Sequence, residues 1–303
     1  MKTQICTATL MALAVSTANA AIQTYSGING AFNSDSWNDA GNWTTAVPSG
    51  SDSAVIASGW TAAAVSGTSN SYSGGLTIQS DASLLVNGND DLNAIGSGAI
   101  SLDTSAVLAF RSATTTESQA ISLTGSGVTI WTGQSTNSSV IDYTGGFLGA
   151  FDITLGGSNN AKATLSGASQ FTSVTTTGDE GFAGENFILV SNASGALGTG
   201  DVAIIDTDSL SITAANAIAD DATLILTGLA STKGGGGKLR ISTGIDEVVG
   251  GLIVDGSVID AGTYTNAESW LVGDGTLTIV PEPGSLALLG LGGLLIASRR
   301  RRG

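Results

Sequence analysis

The amino-acid sequence predicts an all-β protein whose body is a right-handed parallel β-helix, or solenoid. Glycine supplies 43 of the 303 residues, and charged residues are only 12% of the chain, against about 25% in a typical soluble domain. Most other positions are Ser, Thr, Ala, Val, Ile and Leu, which favour strands and tight turns over long helices. Short alternating polar and apolar stretches recur between glycines. One such stretch cannot bury its apolar face alone, so we expect the stretches to stack.

One repeated unit starts with G-x-G and carries two alternating stretches joined by a turn. It reads GSGAISLDTSAVLAF at 96–110 and GTGDVAIIDTDSLSI at 198–212, and the two copies align without gaps. The alignment pairs four apolar positions: Ile100 with Val202, Leu102 with Ile204, Leu108 with Leu210, and Phe110 with Ile212. Alternation with period two places the apolar residues of each stretch on one face. Glycine supplies the positive φ that the turns need.

Shorter copies extend this pattern along the chain. DASLLV at 81–86 matches DATLIL at 221–226, and GSGVTI at 125–130 and GDGTLTI at 273–279 repeat the glycine-turn-strand start. If each coil takes about 20 residues, the body forms about a dozen coils and a rod of about 55 Å. A β-sandwich, or a pair of them, is the alternative.

The N-terminal 20 residues have the three parts of a secretory signal peptide. Lys2 supplies a positive charge, residues 5–15 are mostly apolar, and Ala18-Asn19-Ala20 offers the small residues that signal peptidase accepts. We therefore expect the Sec machinery to export the chain and signal peptidase to cut after Ala20. A buried first helix is the alternative. Cys6 lies at the start of the apolar run rather than after it, which excludes a lipoprotein signal.

The C-terminal segment, residues 281–303, also has three parts in order. Pro281-Glu282-Pro283 forms a rigid extended start, residues 285–298 form an uncharged apolar run, and the chain closes with arginines at positions 299–302. The run is shorter than the roughly 20 residues of a comfortable membrane span. It would cross as a single transmembrane helix only with bilayer thinning or arginine snorkelling. The arginines would then hold this end in the cytoplasm.

This tail resembles the PEP-CTERM sorting domain. The resemblance rests on Pro281, Glu282 and Pro283, the apolar run, and Arg299, Arg300, Arg301 and Arg302. It implies recognition in the inner membrane by an exosortase-type enzyme, which cuts near Pro281-Glu282-Pro283. The body then passes to the cell surface or the extracellular matrix, often together with exopolysaccharide. A plain tail anchor is the alternative.

The body, residues 21–280, resembles passengers built from the autotransporter-associated β-strand repeat. The matching stretches are 195–228 and 249–280, and in the second an A-G-x-Y step precedes a G-x-G-x-L-x-[IV] strand. The segment 36–56 resembles the opening segment of such proteins. We expect residues 21–60 to form an N-terminal cap, because the first coil would otherwise present bare strand edges. Trp37 and Trp43 would cover that coil.

Charge and residue usage exclude several functions. The net charge of −15 and the pI of about 4.1 repel phosphate, so we expect no nucleic-acid partner. The chain has no histidine, and Cys6 is its single cysteine. These facts exclude a Ser-His-Asp or Cys-His mechanism, histidine-ligated metal and disulfides in the mature chain. We expect no cofactor.

Paired acids leave one enzymatic alternative open, an extracellular polysaccharide-degrading β-helix enzyme. Asp206 and Asp208 would point the same way if they lay on a strand, and Asp220-Asp221 form a second pair. A glycosidase needs carboxyl groups about 5 to 9.5 Å apart. Further pairs occur at Asp90-Asp91 and Asp179-Glu180. We prefer to place all of them in turns, where Asp bonds the backbone, and we expect a protein without enzymatic activity.

Two binding hypotheses remain. The turn 178–186 has hard oxygen ligands for calcium in Asp179, Glu180, Glu185 and Asn186. Exposed aromatic rings could stack on sugars, although core or cap positions are the favoured interpretation; the candidates are Trp60, Trp131, Trp270, Tyr72, Tyr143 and Tyr264. The run from Lys233 to Lys238 lacks the G-K-[ST] of a phosphate loop. The sequence as a whole predicts an exported structural or adhesive surface protein.

Overall fold

A computed structural model describes residues 20–27, 37–64, 72–87, 96–111, 114–133, 139–158, 160–178, 187–229 and 238–280. These residues form an all-β parallel solenoid. The single helix among them is a short 3-10 turn, Ala40–Asn42, and no helix in the described ranges is long and apolar enough to span a membrane. The predicted signal peptide up to residue 19 and the whole tail 281–303 lie outside these ranges.

Three parallel sheets form the sides of the solenoid, with strands numbered in chain order. Sheet 1 contains β1 (Ile22–Tyr25), β2 (Ser53–Ile56), β4 (Leu76–Ile78), β6 (Ile100–Leu102), β9 (Ile121–Leu123) and β12 (Phe147–Leu148). Sheet 2 contains β3 (Thr61–Ala64), β5 (Ser83–Asn87), β7 (Val107–Arg111), β10 (Val128–Thr132), β13 (Asp152–Gly157), β15 (Ser173–Gly178), β17 (Asp201–Ile204), β19 (Thr223–Leu226), β22 (Gly251–Val254) and β23 (Ser257–Val258).

Sheet 3 and a small end sheet complete the fold. Sheet 3 contains β8 (Thr114–Glu117), β11 (Val140–Tyr143), β14 (Ala161–Leu165), β16 (Phe187–Ser191), β18 (Ser209–Ile212), β20 (Leu239–Ile241) and β25 (Leu271–Val272). The end sheet contains β21 (Asp246–Val249), β24 (Gly262–Tyr264) and β26 (Thr276–Ile279). The named strands pair in parallel except β22 with β23 and β24 with β26, which are antiparallel.

The predicted alternation builds the core. In β6, Ile100 and Leu102 are buried and Ser101 between them is not, and the same pattern recurs in β18. Parallel in-register pairing stacks like on like: Leu84 of β5 lies beside Leu108 of β7, which lies beside Ile130 of β10. These inward columns make one continuous apolar core along the rod. Stacking thus buries faces that one strand could not bury.

The predicted coil length was wrong. Along sheet 2, Asp152 pairs with Ser173, and Ser173 pairs with Asp201, so successive coils differ in length and both exceed 20 residues. A coil has to supply three sides and their corners. Seven strands stack in sheet 3 and nine parallel strands in sheet 2, so the described residues form fewer coils than the expected dozen. The nine consecutive parallel strands of sheet 2 span about 38 Å at about 4.8 Å per step, less than the predicted rod. The right hand of the coil stays a prediction.

The sequence repeats do not mark equivalent coils. The copy at 96–110 runs from β6 of sheet 1 to β7 of sheet 2, whereas the copy at 198–212 runs from β17 of sheet 2 to β18 of sheet 3. The shared unit is therefore a strand-corner-strand element that fits two different corners. The copies at 81–86 and 221–226 do share a sheet, since they contain β5 and β19.

One outer strand is covered at each end of the rod. At the N-terminal end, Thr44 donates to the carbonyl of Thr24 (3.0 Å) and so pairs the outer edge of β1. The Trp37 and Trp43 rings are buried, with ring centroids 4.8 Å apart, and the Trp43 indole N–H donates to the Trp37 carbonyl (2.7 Å). At the other end, β23 folds back antiparallel on β22. Covered edges cannot pair with another chain.

Candidate functional site

The corner between sheets 2 and 3 holds a buried acid–base cluster. Asp206 and Asp208 lie in the tight turn between β17 and β18, and Lys238 directly precedes β20. The backbone N–H of Leu210 donates to the Lys238 carbonyl (2.7 Å), which brings Lys238 beside this turn. Asp208 is only 1% exposed and Lys238 only 2%. Both ionisable groups therefore lie inside the corner.

Burial dominates the electrostatics of Asp208. It raises the pKa of this carboxyl to about 7, against the opposing effects of the Thr176 hydroxyl and the Lys238 ammonium. The Thr176 hydroxyl and the Phe187 N–H lie near enough to favour the charged form, but neither makes a hydrogen bond of good geometry with the carboxyl oxygens. A buried carboxylate without such bonds is costly, so a large share of Asp208 is protonated at neutral pH.

Lys238 is held by a backbone acceptor. Its ammonium donates to the carbonyl of Thr227 at the end of β19. Burial lowers the pKa of Lys238, while Asp208, Asp206 and Asp255 act in the opposite direction. Asp255 meanwhile accepts from the backbone N–H of Gly228 (2.6 Å). The contacts of this cluster join three successive coils at this corner.

The structure confirms the favoured turn placement of Asp206 and Asp208, which do not lie on one strand as the enzymatic alternative requires. β17 ends at Ile204 and β18 begins at Ser209, and Asp206 has a φ of 51°, which breaks the extended backbone. Asp206 is half-buried whereas Asp208 is fully buried. A polymer outside the rod can contact at most one of the two carboxyl groups, which is too few for a glycosidase pair.

The second acid pair lies at a different corner. Asp220 and Asp221 are exposed in the turn before β19. Nearby, Glu247 of β21 is fully buried and accepts from the backbone N–H of Ile218 (2.7 Å). Burial raises its pKa, and Asp220 adds to that effect. Sequence reasoning missed Glu247, although an acid at an inward position, two residues before Val249, is the signal that marks it.

Asp208 should make stability depend on pH. Its pKa is about 7 when folded and about 4 when unfolded, so between these values the folded chain binds more protons. This stabilising contribution is complete below about pH 4 and is lost as the pH rises through about 7. We expect the melting temperature to fall between about pH 5 and 8, and to fall less in Asp208→Asn. Thermal melts followed by circular dichroism would show this.

The exposed Asp221→Asn variant is the matched control for that experiment. It should keep the wild-type slope, because Asp221 is not among the charges that act on Asp208 or Glu247. Identical slopes for wild type and Asp208→Asn would contradict the raised pKa of Asp208.

The aromatic candidates divide into two groups. Tyr72, Tyr143 and Trp270 are buried, and the Tyr143 hydroxyl lies 3.3 Å from that of Thr132. Trp60, Trp131 and Tyr264 are half-buried. Trp131 occupies an outward position of β10, and a side chain at Gly156 of β13 would collide with its ring. These positions favour core packing for the first group and leave only the second group accessible.

Other candidates lie where the structure describes nothing. These are Asp90, Asp91, Asp179, Glu180, Glu185, Asn186 and Lys233, together with Ala18 and the sorting residues Pro281, Glu282, Pro283, Arg299, Arg300, Arg301 and Arg302. Among the residues that are described, no three acids, cysteines or histidines come together as a metal site.

Comparison with known proteins identifies the tail. Residues 280–302 match the PEP-CTERM protein-sorting motif. This motif implies an exosortase-sorted extracellular protein, and the β-solenoid body fits that class. No curated protein and no solved structure matches the chain significantly. The likeness of the body to the autotransporter-associated repeat stays a prediction.

Proposed function

We propose that this chain is a structural or adhesive protein of the extracellular matrix, delivered by its tail and associated with exopolysaccharide. The observation that carries the proposal is the position of the sorting motif. The last strand, β26, ends at Ile279, and Val280 donates its N–H to the Val249 carbonyl (2.9 Å). The motif begins at residue 280. A cut near Pro281-Glu282-Pro283 would therefore release the rod without removing a strand.

The proposed route has four steps. The Sec machinery exports the chain, and signal peptidase cuts after Ala20, which the structure places exposed beside β1. The apolar run 285–298 then anchors the chain transiently in the inner membrane, with Arg299–Arg302 in the cytoplasm. An exosortase-type enzyme cuts the tail. The body passes to the cell surface or beyond.

A non-enzymatic role agrees with the state of the candidate acids. Asp208 is buried, Glu247 is buried, and Asp220 and Asp221 are exposed in a turn. Only the second pair has two accessible carboxyl groups, and these are adjacent in a turn rather than set apart on a strand face as a glycosidase pair would be. A rod with a covered outer strand at each end suits a matrix component that has to remain separate from other copies.

Loss of the polysaccharide should release the protein. In a producing strain whose exopolysaccharide synthesis has been abolished, we expect the protein to move from the cell-associated matrix fraction to the culture medium. Quantitative immunoblots of washed cells and medium would measure the shift. A protein that stays cell-associated without polysaccharide would argue against this association, while leaving its sorting intact.

A further inference from the structure

A groove crosses the outer surface of sheet 3. It has a volume of about 270 Å³ and extends over β14, β16, β18 and β20. Its principal lining residues are Lys162, Ile188, Val190, Ser209, Ser211 and Arg240. We call it the sheet 3 groove.

The strand register fixes the layout of the groove. Lys162 pairs with Ile188, which pairs with Ser209; Val190 pairs with Ser211, which pairs with Arg240. The two cations therefore lie at diagonally opposite ends of a two-row patch. They are separated along the rod by three strand-to-strand steps of about 4.8 Å each, or about 14 Å. Between them lie an apolar strip and two hydroxyl groups.

The groove is positively charged, whereas the rest of the rod is acidic. Once Lys2, Glu282 and the four terminal arginines are set aside, the chain keeps 24 acids but five cations. Along the outward positions of the sheet 3 strands the balance is two cations to one acid, Asp142, and Asp142 already accepts from the Ser166 hydroxyl (2.6 Å). Within the described residues neither Lys162 nor Arg240 forms an ion pair. Two free cations on an acidic rod favour an acidic ligand here.

We propose that the sheet 3 groove binds acidic sugar residues of a polysaccharide, an inference that rests on the proposed matrix function and names its ligand class. Lys162 and Arg240 would bind two carboxylates. Ser209 and Ser211 would hydrogen-bond ring hydroxyls, and Ile188 would pack against the apolar side of a sugar ring. The polysaccharide chain would run along the rod axis, across the strands.

An acidic peptide fits this surface less well. Peptides usually gain affinity on sheets by adding a strand to an open edge. The groove instead lies on the face of sheet 3, where the backbone groups of β16 and β18 are already used in pairing with their neighbours. A peptide would have to bind through side chains alone.

Binding of a labelled galacturonic acid hexamer tests the groove. The full-length protein is purified in mild detergent with its four terminal arginines replaced by glutamine, because these would bind any polyanion. We expect fluorescence anisotropy to show binding of this hexamer and no binding of a neutral glucose hexamer. The double variant Lys162→Gln, Arg240→Gln should bind at least about tenfold more weakly, which corresponds to a loss of about 1.4 kcal/mol over the two cations together.

Arg111→Gln is the matched control, because it removes a cation from sheet 2 instead. It should bind like the unaltered protein, and the double variant should keep the melting temperature of the unaltered protein. Equal binding by the double variant, or equal binding of the neutral hexamer, would overturn the assignment. Equal binding of an oligo-glutamate would also overturn it in favour of acidic peptides. Sorting of the double variant in cells should be normal, so failure of the groove and failure of the proposed function are distinguishable.

Discussion

Replacing Trp37 with alanine should lower the free energy of unfolding by about 3 to 5 kcal/mol, which is the usual cost of emptying a large aromatic site in a core. Trp37 is fully buried. Its ring contacts Trp43 and also stacks on Tyr72, with ring centroids 6.1 Å apart, and its carbonyl accepts from the Trp43 indole. Urea unfolding followed by circular dichroism would measure the loss.

The loss should begin at the N-terminal end. In a solenoid each coil contacts only its neighbours, so an uncovered first coil opens before the rest. Hydrogen exchange should therefore speed up first in β1 and β2 of Trp37→Ala. Trp37→Phe should cost much less, because the ring is kept and the Trp37 indole N–H has no hydrogen-bond partner in the described part of the chain.

Ile22→Ala is the matched control for the cap. Ile22 lies on β1 at the same end of the rod but is 70% exposed, and its truncation should change stability by less than about 0.5 kcal/mol. If Trp37→Ala and Ile22→Ala had similar small effects, the aromatic cluster would not be what stabilises the first coil.

Replacing Glu282 with alanine should abolish sorting. We expect the amount of the surface form to fall at least about tenfold and a tail-bearing form to accumulate in the inner membrane. A tenfold fall corresponds to a loss of about 1.4 kcal/mol in binding of the tail by the sorting enzyme. Glu282 lies after the last strand, so the fold should be unaffected. Immunoblots of membrane and surface fractions would measure the two forms.

Asp260→Ala is the matched control for sorting. It removes an exposed acid from the folded body, 22 residues before Glu282, and should leave delivery unchanged. Normal surface delivery of Glu282→Ala would rule out a role for the Pro-Glu-Pro segment. Equal loss in both variants would indicate a general defect of export.

The alternation of buried and exposed residues within each strand could be predicted from the sequence, but the length and stacking of the coils could not. The burial of Ile100 and Leu102 around Ser101 follows from period two alone. The length of a coil depends on which strand stacks on which, and that is decided by contacts between residues more than 20 positions apart, such as Ser173 and Asp201. For the same reason the gapless copies at 96–110 and 198–212 could occupy different corners.

The acid–base cluster was predictable only in part. The sequence drew attention to Asp206 and Asp208 as a pair, but the alternation rule holds only on strands, and the positive φ of Asp206 ends it there. The burial of Lys238 could not be foreseen, because it depends on the pairing of β18 with β20. Glu247 was predictable, because the alternation of β21 places this acid on the inward face of the strand together with Val249.

The intact mass of the surface form tests the central claim most directly. The protein would be recovered from the surface and the medium of a producing cell and weighed whole. A chain that begins at Ala21 and ends near Pro281 would show that both terminal segments are removed and that the folded rod is what the cell delivers. A surface form that keeps Arg299 to Arg302 would contradict the account, since the tail would then be a plain anchor.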